Sequence, residues 1–114
     1  MSTKTLENGI VIETLTEGTG QVVAVGDGIR AHYEGSLLDG TIFDSSYKRG
    51  EPFTAAIGVG QLIQGWDIAV PGMKEGGKVK LTIPAEYAYG DRNLPGIPAG
   101  STLVFLLEVL EVLK

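Results

Sequence analysis

Glycine recurs at short intervals along this 114-residue chain, and its spacing restricts the folds open to the sequence. Glycine next to small or acidic residues is typical of turns. Such pairs stand at Glu17–Gly20, Gly26–Gly28, Asp39–Gly40 and Gly76–Gly77. Between the turns, apolar and polar residues alternate with a period of two, most clearly at residues 78–83. Successive side chains of a strand point to opposite faces, so this pattern predicts short, half-buried antiparallel strands.

One stretch has helical spacing instead. Ile63, Trp66, Ala69 and Met73 recur three or four residues apart, and Pro71 should end a helix near position 70. A lone short helix among strands must bury its apolar stripe against a sheet face. The sequence therefore predicts an α+β domain whose single helix lies against the concave face of an antiparallel sheet.

The composition argues against several classes of site. There is no cysteine, and His32 is the only histidine, so thiolate sites and His clusters for metal are excluded. The formal net charge of −5 argues against binding to nucleic acid or an anionic membrane. No apolar run approaches the ~18 residues of a membrane span. We expect one soluble, cytoplasmic domain over residues 1–114, without metal or cofactor, in which residues 1–8 form a flexible or edge segment.

Two motifs resemble known catalytic or nucleotide-binding sites but lack a required residue or structural context. Residues 72–78 match most of a phosphate-binding loop, but Val79 stands where a hydroxyl should meet magnesium, and a strand follows where a helix should begin. A Ser-His-Asp triad would need His32, which alternates with Tyr33 in a strand and is expected to face solvent or to form a local hydrogen bond. Nucleophilic catalysis is therefore disfavoured.

The aromatic residues suggest a binding site. The three phenylalanines Phe43, Phe53 and Phe105 and the single tryptophan Trp66 are far apart in the chain. They stand in short runs that also carry the few polar groups an apolar cleft needs. Because such distant residues meet only if the fold brings separate elements together, we predict one apolar cleft lined by these rings.

A set of runs, in this order, resembles one family closely. They are Val25–Asp27, His32–Gly35, Asp39–Ser46, Gly65–Trp66, Tyr87–Gly90, Pro95–Pro98 and Ser101–Phe105. Their joint order and spacing resemble the FKBP family, the macrolide-binding peptidyl-prolyl cis-trans isomerases, over about residues 10–112. The resemblance implies a minimal single-domain member, with a curved antiparallel sheet of five or six strands wrapped around one short α-helix.

The resemblance also implies a set of site residues. The side chains that it assigns to catalysis are Tyr33, Phe43, Asp44, Tyr89 and Phe105. Those that it assigns to substrate or macrolide binding are Arg49, Phe53, Leu62, Ile63, Trp66 and Ile97. Tyr47, between these runs, is expected to be a solvated loop residue.

The implied activity is isomerisation of Xaa-Pro bonds in proline-containing polypeptides, which assists protein folding, with binding of macrolides such as FK506 or rapamycin. The implied protein is a monomer that needs no metal. An alternative is a non-catalytic module that holds a proline-containing segment or a macrolide without turnover. The same sequence fits both activities. If an Xaa-Pro peptide exchanged at its uncatalysed rate while the protein still bound it or a macrolide, the module would be favoured.

The sequence departs from the family in the loop at Asp91–Gly100, which is about one residue shorter than in many members. Gln61 also stands where some relatives carry an acidic residue that contacts ligands. Macrolide affinity and substrate preference are the properties on which these departures bear.

Overall fold

The structure, a computed structural model, describes residues 2–6 and 8–113. It has one antiparallel sheet and two short helices, which confirms the α+β class. The strands are β1 (Ser2–Thr5), β2 (Val11–Thr16), β3 (Gly28–Leu37), β4 (Ile42–Ser45), β5 (Phe53–Ala56), β6 (Lys78–Ile83) and β7 (Leu103–Leu113). The helices are α1 (Ser46–Arg49) and α2 (Gln64–Ala69), and a 3₁₀ turn covers Ala85–Tyr87.

The sheet has the order β1-β2-β6-β7-β3-β4, and β5 also pairs with β3. One edge of β3 is shared by two partners, because residues 28–31 pair with β5 and residues 34–36 pair with β4. The other edge of β3 pairs along its whole length with β7. Helix α1 follows β4 and lies against β3 between the two short partner strands.

The core lies between the concave face of this sheet and α2. Alternate residues of β6 and β7 are buried, as the period-two pattern predicts, and Trp66 and Ala69 of α2 are buried with them. Gly65 allows the close approach of helix and sheet, since a Cβ there would lie 2.5 Å from a methyl group of Ile83. The helix ends at Ala69, two residues before Pro71, as expected.

The sheet has seven strands where five or six were expected, and the described part of the chain has a second helix. Helix α1 is one turn long, and the Ser45 side chain caps it by accepting a hydrogen bond from the Lys48 N–H. Gly50 closes it in the left-handed conformation at φ 73°. The prediction that Tyr47 is a loop residue is therefore wrong.

The N-terminal segment pairs at the edge of the sheet, where β1 lies against β2. Met1 and Glu7 of the expected segment 1–8, and Lys114 at the other end of the expected domain, lie outside the described residues.

Candidate functional site

Five aromatic rings from four strands and one helix meet at the N-terminal end of α2. Trp66 is 4% exposed and forms edge-on contacts with Phe105, Phe53 and Tyr33 at centroid distances of 5.2, 5.3 and 5.5 Å. Phe43 joins the cluster through an edge-on contact of 5.8 Å with Phe105. Edge-to-face pairs at this separation attract one another beyond the burial of their surface. The rings therefore hold one another as the floor and walls of a shared hollow.

Gly35 in β3 makes room for two of these rings. A Cβ at this position would lie 2.6 Å from Cζ of Phe43 and 2.8 Å from Cε1 of Phe105. Real side chains do not approach so closely, so only glycine lets both rings lie over β3. The glycine of the His32–Gly35 run thus has a packing role within the site.

A polar cluster borders the rings. The Tyr33 hydroxyl donates a hydrogen bond to Asp44, and the Arg49 guanidinium donates to Asp44 and, at 3.2 Å, to the Tyr33 hydroxyl. Burial opposes ionisation of Asp44, but the hydrogen bonds from Tyr33 and Arg49 outweigh it and hold the pKa of Asp44 below its ordinary value. Burial, and then the bond to Asp44, raises the pKa of Tyr33. Asp44 is therefore an ion whose charge is matched by Arg49.

Ser46 fixes the position of this cluster through hydrogen bonds to the Tyr33 backbone. Tyr33 lies between the two segments of β3 that pair with β4 and β5, so that edge of its backbone has no strand partner. The Ser46 hydroxyl accepts from the Tyr33 N–H at 2.7 Å and lies 3.2 Å from the Tyr33 carbonyl, to which it donates. Ser46 is fully buried and begins α1, so it anchors the helix that carries Arg49.

Two hydrogen-bond donors beside the rings have no partner in the described part of the chain. They are the backbone N–H of Ile63, at the start of α2, and the hydroxyl of Tyr89, after the 3₁₀ turn. The indole N–H of Trp66 is buried and also lacks a described partner. Unpaired donors next to an apolar surface are suited to a ligand that brings carbonyl oxygens.

The rings and donors enclose a cleft of about 440 Å³, a volume typical of small-ligand sites. We call it the aromatic cleft. Nine of the eleven side chains named from the sequence line it. They are Tyr33, Phe43, Asp44, Phe53, Leu62, Ile63, Trp66, Tyr89 and Phe105.

The other two predicted residues lie elsewhere. Arg49 stands behind Asp44 as its ion-pair partner and is absent from the lining. Ile97 is buried in the core. It ends a tight turn over residues 94–97, in which Pro95 and Gly96 are central and Ile97 pairs with Leu94. This turn lies on the Phe43 wall, since a Cβ at Gly96 would be 3.6 Å from Cβ of Phe43.

Three lining residues are absent from the sequence-based set, namely Gln61, Ala88 and Arg92. Gln61 and Ala88 adjoin predicted residues, so proximity along the chain was the available signal. Arg92 lies in the Asp91–Gly100 loop, and no local pattern indicates that its side chain reaches the cleft.

A second depression of about 250 Å³ lies at the opposite end of α2, and we call it the rear groove. Its lining residues are Lys4, Ile12, Thr14, Thr16, Glu17, Gly18, Ala69, Pro71, Gly72, Met73, Lys74, Gly77 and Val79. The phosphate-loop-like run 72–78 borders it. The N–H groups of Gly72, Met73, Glu75, Gly76 and Gly77 all donate to backbone carbonyls, so they form no phosphate cradle.

Within residues 2–6 and 8–113, no group of three or more His, Cys, Asp or Glu side chains could hold a metal ion. The longest helix of those residues has six residues, far short of a bilayer crossing.

The aromatic cleft lies within the part of the chain that matches a known family. Residues 18–110 match the model of the FKBP-type peptidyl-prolyl cis-trans isomerases. Over 111 residues the chain is 48% identical to FK506-binding protein 1 of Candida glabrata, covering 96% of this chain and 97% of the relative. It is 51% identical to the FK506-binding protein of Neisseria meningitidis serogroup B over 105 residues, covering 91% and 96% of the two chains.

Larger proteins contain the same domain. The chain is 47% identical to a region of FK506-binding protein 4 of Neurospora crassa and covers 24% of that protein. Two solved structures superpose closely, FkpA from Escherichia coli with a TM-score of 0.89 and AtFKBP13 with 0.88. Their sequence identities are 43% and 39%, and this chain covers 51% of FkpA and 98% of AtFKBP13.

Proposed function

Because this chain belongs to the FKBP-type peptidyl-prolyl cis-trans isomerase family, we propose that it accelerates rotation about Xaa-Pro peptide bonds in the aromatic cleft. The observation that carries the proposal is the juxtaposition of five aromatic rings with two donors, the Ile63 N–H and the Tyr89 hydroxyl, that lack a partner among the described residues. Such a site holds a prolyl ring by apolar contact and orients the carbonyl groups beside it.

The physical basis is differential binding. Rotation about an amide bond faces a barrier of ~18–20 kcal/mol, because resonance gives the C–N bond partial double-bond character. Twisting the bond removes that resonance and makes the group less polar. An apolar surface therefore favours the twisted amide over the planar one, and each ~1.4 kcal/mol of this preference is worth about tenfold in rate. The reaction needs no nucleophile and no proton transfer.

The roles that we propose for the side chains are based on where each residue lies in the cleft. Trp66 would support the prolyl ring from below, with Phe53 and Phe105 as walls. The Ile63 N–H and the Tyr89 hydroxyl would bind substrate carbonyls. Asp44, held ionised by Arg49, would orient the Tyr33 hydroxyl and act on the amide electrostatically, without taking a proton.

Macrolide binding in the same cleft is part of the proposal. Relatives that match this chain over nearly their whole length are named as FK506-binding proteins. A large apolar ligand with several carbonyl groups suits the same rings and donors. We propose further that the protein acts in the cytoplasm as a monomer on proline-containing polypeptides, which cell fractionation and light scattering would test.

The direct test is the cis-trans exchange rate of a short Xaa-Pro peptide, measured by NMR with and without this protein. We expect catalysed exchange that FK506 suppresses as it fills the cleft. If the peptide exchanges at its uncatalysed rate while FK506 still binds, the protein is a binding module and the isomerase assignment is wrong. If catalysis persists when FK506 saturates the protein, the reaction takes place outside the aromatic cleft.

A further inference from the structure

Arg92 is a charged residue of the cleft with no ion-pair partner among the described residues. Its side chain lines the aromatic cleft and is exposed to solvent. Its backbone N–H donates to the Tyr89 carbonyl at 3.1 Å, which ties the loop at this point to another residue that lines the cleft. Arg92 thus borders the cleft, and no carboxylate of the described residues pairs with its guanidinium.

The other charges of the cleft cancel. Asp44 is matched by Arg49, and the Tyr33 hydroxyl also donates to it. Gln61 on the lining is neutral, and its side-chain oxygen is occupied by the Ala56 N–H at 3.2 Å. The site therefore carries one net positive charge, contributed by Arg92, on a chain whose formal net charge is −5.

We propose that Arg92 is a specificity-determining residue that favours substrates with a carboxylate next to the proline. This inference rests on the proposed isomerase function and names a substrate class for it. A carboxylate at the mouth of the cleft would pair with the guanidinium, and planar guanidinium groups suit carboxylates in two-point contact. The local positive charge also attracts acidic peptides toward a protein that otherwise repels them.

The size of the effect follows from exposure. Arg92 is open to solvent, so its pair with a substrate carboxylate is worth about two- to fivefold, the range of an exposed ion pair. Salt weakens such pairs, because the screening length falls to about 3 Å at 1 M ionic strength. A small preference that disappears in salt is therefore the expected signature.

The experiment compares kcat/KM for two series of peptides, which carry Glu, Gln or Lys either directly before or directly after the proline. With wild-type protein at low salt, we expect the order Glu, Gln, Lys in at least one series, with a Glu-to-Gln ratio of about two to five. Arg92→Gln should bring that ratio to about one.

Arg30→Gln is the matched control. It removes the same charge from the chain, but Arg30 pairs with Glu111 on β7 and does not line the cleft. It should retain the wild-type Glu-to-Gln ratio. A ratio near one in both series, or one that Arg92→Gln leaves unchanged, overturns the proposal while the isomerase function stands. Failure to rotate any of the peptides overturns the isomerase function and this proposal together.

Discussion

The two ends of α2 present two different hollows over one sheet. At its N-terminal end the aromatic cleft is lined by six aromatic residues, and two donors beside them have no partner among the described residues. At its C-terminal end the rear groove is lined by threonine, lysine, glycine and small apolar residues, with no aromatic ring. Along its border, the N–H groups of Gly72, Met73, Glu75, Gly76 and Gly77 donate to backbone carbonyls. The aromatic cleft and the rear groove are both concave, and they differ in the aromatic rings and unpartnered donors of the cleft.

The aromatic cleft depends on particular residues from several elements, and the rear groove does not. The cleft needs residues from β3, β4, β5, β7 and α2 to converge, and β3 carries a glycine so that they can. The rear groove is what remains where a short helix covers only part of a curved sheet. Substitutions in the cleft should therefore alter catalysis, whereas substitutions elsewhere should alter stability alone.

The largest effect should come from Phe105→Ala, which removes the ring that contacts both Trp66 and Phe43. We expect isomerisation to fall by more than tenfold and the free energy of unfolding to fall by about 3–5 kcal/mol. Peptide exchange and urea unfolding measure the two losses. Because so large a loss of stability could unfold the protein, Phe105→Leu serves as the milder variant.

Met73→Ala in the rear groove is the matched substitution for this comparison. Met73 packs against the core and lines that groove, so its loss should also lower stability. It should leave peptide exchange unchanged. Equal losses of activity in Met73→Ala and Phe105→Leu would erase the distinction between the two hollows.

Trp66→Leu should reduce peptide exchange less than Phe105→Ala does, because the role of Trp66 is mainly to shape the floor.

Gly35→Ala should have the next largest effect. The new methyl group would overlap Phe43 and Phe105 and push the rings apart. We expect a loss of about 1–3 kcal/mol in stability and a clear loss of peptide exchange. Gly28→Ala in the same strand is the control, since its Cβ would lie 3.4 Å from Leu113 and far from the rings. If Gly35→Ala exchanges peptide as fast as Gly28→Ala, the close packing over β3 does not matter to catalysis.

Asp44→Asn should reduce exchange several-fold and change the acid dependence of stability. The folded-state pKa of Asp44 is below its unfolded value of about 3.9. The stabilisation from its ionised form is therefore complete above pH 3.9 and is lost as the pH falls through the lower folded pKa. The difference in unfolding free energy between wild type and Asp44→Asn should shrink over that acid range, which urea titrations would show.

Asp39 provides a comparison outside the cleft. Its pKa is also lowered, chiefly because it accepts a hydrogen bond from the Thr41 N–H in the turn before β4. Asp39→Asn should show the same direction of acid dependence and should exchange peptide at the wild-type rate. Loss of exchange in Asp39→Asn alone would contradict the placement of the site.

The smallest effect on activity should come from Tyr47→Phe, on the opposite face of β3 from the cleft. Tyr47 stacks on His32 at 4.6 Å and donates to Glu108 at 3.0 Å. Burial, and then this bond, raises the pKa of Tyr47 to about 12. Its contribution to stability is present below the unfolded value of about 10 and is lost as the pH rises through 12.

A spectrophotometric titration of wild type and Tyr47→Phe checks this. The variant should lack one tyrosine ionisation near pH 12 and should keep the wild-type exchange rate. Ionisation of Tyr47 close to pH 10 would show that its stacked and hydrogen-bonded position does not hold in solution.

Local patterns predicted most of the fold. The alternation over 78–83 became β6 because strand periodicity is a local property, and Pro71 ended α2 for the same kind of reason. Helix α1 could not be read in this way. A single turn is unstable alone, and it persists here because Ser45 caps it and Ser46 bonds to the Tyr33 backbone.

The site was predicted chiefly by family resemblance, since no periodicity brings Phe43 beside Phe105. The positions of Arg49 and Ile97, which are absent from the lining of the cleft, depend on tertiary detail. Arg49 pairs with Asp44, and Ile97 is buried at the end of a tight turn in the Asp91–Gly100 loop. Arg92 lies in the same loop, where only the folded path of the chain decides which side chains reach the cleft.

The central pairing of the sheet joins β3 to β7, elements that are separated by most of the sequence. During translation, β3 is synthesised well before residues 103–113 exist to pair with it. Pairing of such distant segments is intrinsically slow. The β3–β7 pairing therefore has to wait for residues 103–113, and Phe105 can join the other rings only when that pairing forms.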